Sequence, residues 1–188
     1  MARETDNDAF NRGIEHTLNQ MTTLQQASCK YVCAVEYVDS LVAQISSLLK
    51  GARINKEICT YYSTNEYLTT LLSLLTLQGE QIPISESHGD LQAGNIWLSK
   101  DKTWIIDWET HALRSVWYDA ITLRFGTRYY GGIKDLVYHY QNEQTKSLLL
   151  GQFSTSINIR QMIIIFLLED LLFNLEDMME LPDLGGRE

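Results

Sequence analysis

The sequence predicts an α+β, mostly helical fold, and three observations predict it. Apolar residues recur at helical spacing through most of the chain, one short stretch near the middle is instead β-branched, aromatic and turn-rich, and the only two prolines, Pro83 and Pro182, sit at segment edges. With 188 residues, 45% hydrophobic and 21% charged, the chain has the length and apolar content of one ordinary domain with its own core. It divides into three parts: a helical part over 1–83, a loop and β-hairpin over 84–109, and a second helical part over 110–188.

The first helix is expected from Asp8 to about Gln26, with Ile14, Leu18, Met21 and Leu24 on one face. Lys30 to Val38 is rich in β-branched and aromatic residues, and its pattern leaves a short strand and a continued helix both open. Asp39 opens a run carrying Leu41, Val42, Ile45, Leu48 and Leu49, and Gly51 ends it in the manner of a helix C-cap. Thr64 to Leu77 repeats the helical pattern, with Gly79 beyond it. In the middle part, residues 95–98 and 103–106 are strand-like, and the polar segment Ser99 to Lys102 between them reads as the turn of a hairpin. The third part predicts helices over Trp117 to Phe125, Lys134 to about Leu150, and Asn158 to Met179, with Pro182, Gly185 and Gly186 marking its end.

A net charge of -9 argues against a broad nucleic-acid-binding surface, which needs clustered Lys and Arg. Cys29, Cys33 and Cys59 are too few for a disulfide framework, and no second Cys or His pair completes a zinc site around Cys29 and Cys33. The chain opens without an apolar signal segment, and its most apolar run, Met162 to Leu168, is far short of the roughly 20 residues that cross a bilayer. A cytoplasmic protein with no membrane partner is the expectation. His16, His111 and His139 are scattered and read as exposed or locally bonded. Trp97, Trp104, Trp108 and Trp117 gather near the middle of the chain and read as core packing.

The chemistry-bearing stretch is Ser87-His-Gly-Asp-Leu-Gln-Ala-Gly-Asn-Ile-Trp97, followed by Trp104-Ile-Ile-Asp-Trp-Glu109. It resembles the catalytic loop and metal-binding motif of the aminoglycoside phosphotransferase and choline kinase family, a branch of the protein-kinase-like fold. Four elements match in order: His88-Gly-Asp90, Asn95 five residues later, a hairpin, and Ile106-Asp107. The resemblance implies a protein-kinase-like C-terminal lobe whose small β-hairpin carries the catalytic and metal motifs. It implies a phosphotransferase that moves the γ-phosphate of ATP, with Mg2+, to a hydroxyl of a small molecule. Phosphoryl transfer needs positioning and charge neutralisation more than covalent work. On the resemblance, Asp90 orients the attacking hydroxyl and accepts its proton, while Asn95 and Asp107 offer hard oxygen ligands to magnesium. His88 packs beneath the loop and bonds its backbone. Gly89 and Gly94 let the chain turn closely. Asp119, in a segment that resembles the family's Tyr-Asp helix start, accepts N–H bonds from the loop; an ordinary N-cap role stands beside that reading.

The family's β-rich small lobe is not matched, because no Gly-x-Gly pair precedes His88 and the first lysine is Lys30. Either residues 34–38 form the strand that joins two lobes, with Glu15 on a lobe helix, or the whole segment before Ser87 belongs to the large lobe, the arrangement that periodicity favours. Three accounts follow: a shortened family member, a partner chain or homo-oligomer that supplies the small lobe, or a reduced N-terminal lid. Glu169 and Glu176 on the last helix are seven apart and share a face, so they are candidate ligands for a cationic acceptor such as an aminoglycoside or choline; a solvated helix face is the blander reading. A non-catalytic binding or scaffold domain of the same fold is the alternative function, and a two-metal hydrolase lacks a second ligand cluster.

Overall fold

A computed structural model of the chain describes residues 2–50, 64–99, 102–129, 131–139 and 143–180. The fold is α+β and mostly helical, with two small antiparallel sheets. Helix α1 (Ala2–Ser28) leads into strand β1 (Lys30–Cys33) and directly into α2 (Ala34–Lys50). Helix α3 (Thr64–Ser73) precedes β2 (Gln81–Ser87), and the hairpin β3 (Ile96–Leu98) and β4 (Thr103–Ile105) follows. Strand β5 (Ala112–Ser115) then leads through α4 (Tyr118–Phe125), α5 (Gly132–His139) and α6 (Glu143–Leu150) to the long α7 (Ile159–Glu180). Gly51, Cys59, Pro182, Gly185 and Gly186 lie outside the described residues.

The core forms where two apolar faces meet. Ala34, Val38, Leu41 and Ile45 recur every three or four residues along α2 and are buried, and α2 packs along α7. Helix α7 is apolar on nearly every side from Met162 to Leu168, and that run is buried apart from the partly covered Leu167. On α1 the buried stripe is Thr17, Leu18, Met21 and Gln25, whereas Leu24, expected on the same face, is 38% exposed. Gln25 is inside because its Nε2 donates to the Val116 carbonyl at 3.0 Å, tying α1 to the start of α4.

The three-stranded sheet runs β1-β2-β5, all antiparallel, with Lys30 opposite Ile84 and Ser87 opposite Ala112. Residues 1–83 were expected to be mainly helical; β1 falls where a short strand had been left open, and the start of β2 at Gln81 corrects the rest. Lys30 to Val38 resolves into both of its readings, four residues of strand and then helix, so residues 34–38 are the first turn of α2 and not an inter-lobe strand. Strand β2 was hidden by its composition. Pro83 occupies a central strand, an unusual place for a residue without an N–H, and Ser85 and Ser87 are buried polar residues that break any apolar alternation. Lys134 to Leu150 is two helices, α5 and α6, with residues 140–142 between them outside the described set. The expected hairpin is present, with Ile96 opposite Ile105 and Trp97 opposite Trp104, and Ser99 N–H donating to the Lys102 carbonyl at 2.8 Å. Among the described residues, no helix is long and apolar enough to cross a membrane.

Candidate functional site

Strand β2 delivers the loop that carries the motif. At its end the chain reverses at Gly89, whose φ is +87°. A Cβ there would lie 2.3 Å from the Thr110 carbonyl oxygen, so only glycine fits. Thr110 closes the turn from the far side, its hydroxyl donating to the His88 carbonyl at 3.1 Å. Gly94 differs from expectation: its φ is not positive, and the space around its Cβ position is open. Gly89→Ala is therefore expected to cost about 3 kcal/mol or more through backbone overlap and forced φ, and Gly94→Ala less than about 0.5 kcal/mol. Thermal denaturation of the two variants checks this, and equal melting temperatures would refute the assignment of the turn to Gly89.

Two buried side chains hold the loop. Asp119, fully buried in the first turn of α4, accepts from the His88 N–H at 2.9 Å, the Gly89 N–H at 3.1 Å and the Ser87 hydroxyl at 3.0 Å. It braces the loop and does not cap its own helix. Burial pushes its pKa up, and the N–H groups of His88 and Gly89 oppose that rise. His88, also fully buried, has its Nε2 2.8 Å from the Ile106 carbonyl and its Nδ1 3.3 Å from the Asp90 N–H. A carbonyl can only accept and an N–H only donate, so the ring carries its proton on Nε2. The imidazole thus links the Asp90 loop to the residue that precedes Asp107, and the Trp108 ring packs on it at 4.7 Å.

Asp90 and Asn95 meet directly. Asn95 Nδ2 donates to the Asp90 main-chain carbonyl at 2.9 Å and to its carboxylate Oδ2 at 3.3 Å. A bond to a main-chain carbonyl fixes which end of the amide is nitrogen, and it leaves Oδ1 as the acceptor end. The short 3-10 turn Ala93–Asn95 sets this up, and the Asn95 carbonyl then accepts the Ile106 N–H at 3.0 Å. Asp107 is therefore one residue from a backbone bond to Asn95. It is exposed, and its φ of +66° is the one positive value at a non-glycine residue among those described. Aspartate is among the few side chains that take up this conformation readily.

Sequence reasoning missed Arg128. The α4 C-cap at Gly126, in the left-handed region, turns the chain so that Arg128 comes back onto the loop. Its Nε donates to Asp90 Oδ1 at 3.0 Å, its Nη2 to the Gly89 carbonyl at 2.9 Å and the Tyr118 hydroxyl at 2.8 Å, and its Nη1 pairs with Asp170. The guanidinium sits 4.2 Å over the Phe173 ring. Burial works against its charge, but Tyr118 and Asp170 outweigh burial and raise its pKa. Gln92 Nε2 completes the environment of Asp90, donating to Oδ2 at 2.8 Å. One sequence signal was available: Glu169 and Asp170 interrupt a helix that is apolar on nearly every side, and carboxylates in that setting need buried partners.

The expected acceptor ligands fare differently. Glu169 is 2% exposed and accepts from Tyr37 Oη at 2.6 Å, Ser115 N–H at 2.6 Å and Ser115 Oγ at 2.7 Å, so it braces β5 and α2 against α7. It is not an open ligand, nor does it lie on a solvated face. Burial raises its pKa against the pull of Tyr37 and Ser115, and burial with the nearby Glu169 charge pushes the Tyr37 phenol well up. Glu176 is exposed and borders a cleft of about 130 Å3 with Arg114 and Phe173, and the buried Glu169 lies in its wall. Glu15 pairs with Arg124 through two bonds, at 2.7 and 3.0 Å, and that guanidinium holds it below the usual carboxylate range.

The tryptophans divide. Trp117 is fully buried, with its Nε1 donating to the Met162 carbonyl, and Trp108 is half-buried, but Trp97 and Trp104 are 66% and 55% exposed. As cross-strand partners they share the outer face of the hairpin, contrary to the core packing expected of them. His16 and His111 are exposed with local partners, as expected, and the ring of His139 is outside the described side chains. Cys29 and Cys33 are free, partly buried thiols. Among the described residues, no three His, Cys, Asp or Glu side chains gather into a metal-holding group. No family model, no curated protein and no solved structure matches the chain.

Proposed function

We propose that the chain is a magnesium- and ATP-dependent phosphotransferase of the kinase-like type that moves the γ-phosphate to a hydroxyl of a small molecule. The observation that carries this reading is the bonding of Asp90 to Asn95 and of Asn95 to the strand end that bears Asp107. Those residue types at positions 90, 95 and 107 suit the transfer chemistry. Oδ1 of Asn95 and the exposed carboxylate of Asp107 are hard oxygen donors. Magnesium commonly takes one or two protein ligands and fills its remaining positions with phosphate and water, so a cluster of three acidic side chains is not required. The ion would neutralise charge on the phosphates.

Asp90 does the proton work. Its carboxylate has about four acceptor positions. Asn95 and Gln92 take two on Oδ2 and Arg128 takes one on Oδ1, leaving the second position of Oδ1 for the acceptor hydroxyl. As the hydroxyl oxygen bonds to the γ-phosphorus, its proton passes to Oδ1, the bond from the γ-phosphorus to the β–γ bridging oxygen breaks, and ADP leaves. Asp119 and His88 hold the loop rigid through this step, which needs tight positioning of the reacting groups. The exposed Trp97 and Trp104 rings, on the hairpin that leads to Asp107, would offer a stacking face for the nucleotide base.

Magnesium with ATP at ten times its dissociation constant is expected to raise the melting temperature by roughly 3–6 °C. Asn95→Ala and Asp107→Asn should remove the magnesium-dependent part of that rise. A binding domain without transfer is the second reading, favoured by the lack of a Gly-x-Gly pair before His88. No response of the wild type to millimolar magnesium-ATP would favour it.

A further inference from the structure

The groups around Asp90 make an arrangement that would recognise a cation, and the protein has filled it with its own. Two carboxylates (Asp90 and Asp170), a main-chain carbonyl (Gly89), a phenol oxygen (Tyr118) and an aromatic face (Phe173) all converge on the Arg128 guanidinium. Four of its five N–H donors are engaged, and the side chain is 12% exposed. Asp170 is itself held, accepting from Asn174 Nδ2 at 3.1 Å, so the carboxylate facing Arg128 is fixed in place. A second guanidinium stands close by: Arg114 lies 4.9 Å from the Tyr118 ring and 5.8 Å from the Phe173 ring. Aromatic faces and carboxylates are what cationic ligands such as quaternary ammonium groups require, and here they are already in use.

We propose that Arg128 closes the surroundings of Asp90 to cationic compounds, so that the acceptor served by this site is an alcohol without a positive charge. The inference rests on the phosphotransferase reading for the role of Asp90, but the cage is a property of the folded chain alone. The acceptor position left on Asp90 is on Oδ1, the oxygen that Arg128 Nε contacts, so the reacting hydroxyl comes to lie beside a guanidinium. A positive group near that hydroxyl finds the two carboxylates already paired with Arg128, and the aromatic faces already taken by Arg128 and Arg114. A neutral alcohol needs neither the carboxylates nor the rings, and with four of its five N–H donors engaged Arg128 has no bidentate face left for an acidic one. Arg128 is thus a specificity-determining and positioning residue for the site, and the cationic acceptors expected from the sequence are the ones it disfavours.

Removing the plug should expose the cage. Guanidinium and choline, each at up to 20 mM against matched sodium chloride, are titrated against the full chain by calorimetry and thermal shift without nucleotide. Arg128→Ala is expected to bind guanidinium at least tenfold more tightly than the wild type does, to recover part of its lost melting temperature in its presence, and to gain choline binding. The gain should vanish in the Arg128→Ala, Asp170→Asn double variant. Arg128→Met, which keeps packing on Phe173 without the charge, serves if the alanine variant does not fold. Arg128→Lys, which keeps the charge, must gain no choline binding. The proposal is overturned if the folded neutral variants bind neither cation, if the lysine variant takes choline, or if the wild type binds choline at a site lost on Asp90→Asn. None of these readouts involves nucleotide, so failure of the phosphotransferase reading shows separately, as the absence of a magnesium-ATP response.

Discussion

Asp90→Asn is expected to lower magnesium-dependent ATP turnover, followed as ADP released, about 10³-fold, the range for loss of a positioned general base. Asparagine preserves the shape and most of the bonds. Its amide oxygen can still accept from Arg128 Nε, which now contacts Oδ1 at 3.0 Å, and Gln92 can turn its own amide to meet the new NH2. Arg128 retains Asp170, the Gly89 carbonyl and Tyr118, so no buried charge is stranded. The melting temperature should therefore change little while turnover collapses. That separation is the informative result, because a residue that only closed a turn would lower both or neither. Turnover in the variant equal to wild type would remove Asp90 from the chemistry.

The second large effect is on stability. Glu169→Ala strips the acceptor from the Tyr37 hydroxyl and from the N–H and hydroxyl of Ser115, all within 2.7 Å of the carboxylate. Buried donors without acceptors cost about 1–3 kcal/mol each, with partial relaxation, so a loss of roughly 3 kcal/mol is expected, a fall of about 6–12 °C in melting temperature. A carboxylate that only contacted a bound acceptor would leave the melting temperature unchanged. Burial raises the pKa of Glu169 above the ordinary 4.5, so the folded chain keeps a proton that the unfolded chain has already released. Its contribution is fully present below the unfolded value and is lost as pH rises through the folded one. Glu169→Gln cannot lose that proton. The stability advantage of wild type over the glutamine variant should therefore shrink as pH rises from 4 towards 7, and an advantage that grew with pH would contradict the raised pKa.

Local pattern made part of this molecule legible. The α2 and α7 helices, the Trp97–Trp104 hairpin and the loop from Ser87 to Asn95 could all be read because each rests on neighbours in sequence: helical spacing, turn residues, and an amide five residues from a carboxylate. Strand β2 was not legible. Its central proline and buried serines make sense only beside their partners, since Ser87 is inside to reach Asp119, 32 residues on. The outward placement of Trp97 and Trp104 depends on which face of the hairpin the rest of the chain covers, and a two-residue alternation does not say which face that is.

The sequence by itself determined the residue types of the site and their spacing, and with them the helical character of most of the chain, because these follow from short-range geometry. Tertiary structure alone decided the partners. Arg128 reaches Asp90 from 38 positions away, Asp170 reaches Arg128 from 42, and Glu169 reaches Tyr37 from 132. A buried charge must be paired, but nothing in its local sequence says by which residue, because the pairing is made by helices that pack only once the core has closed.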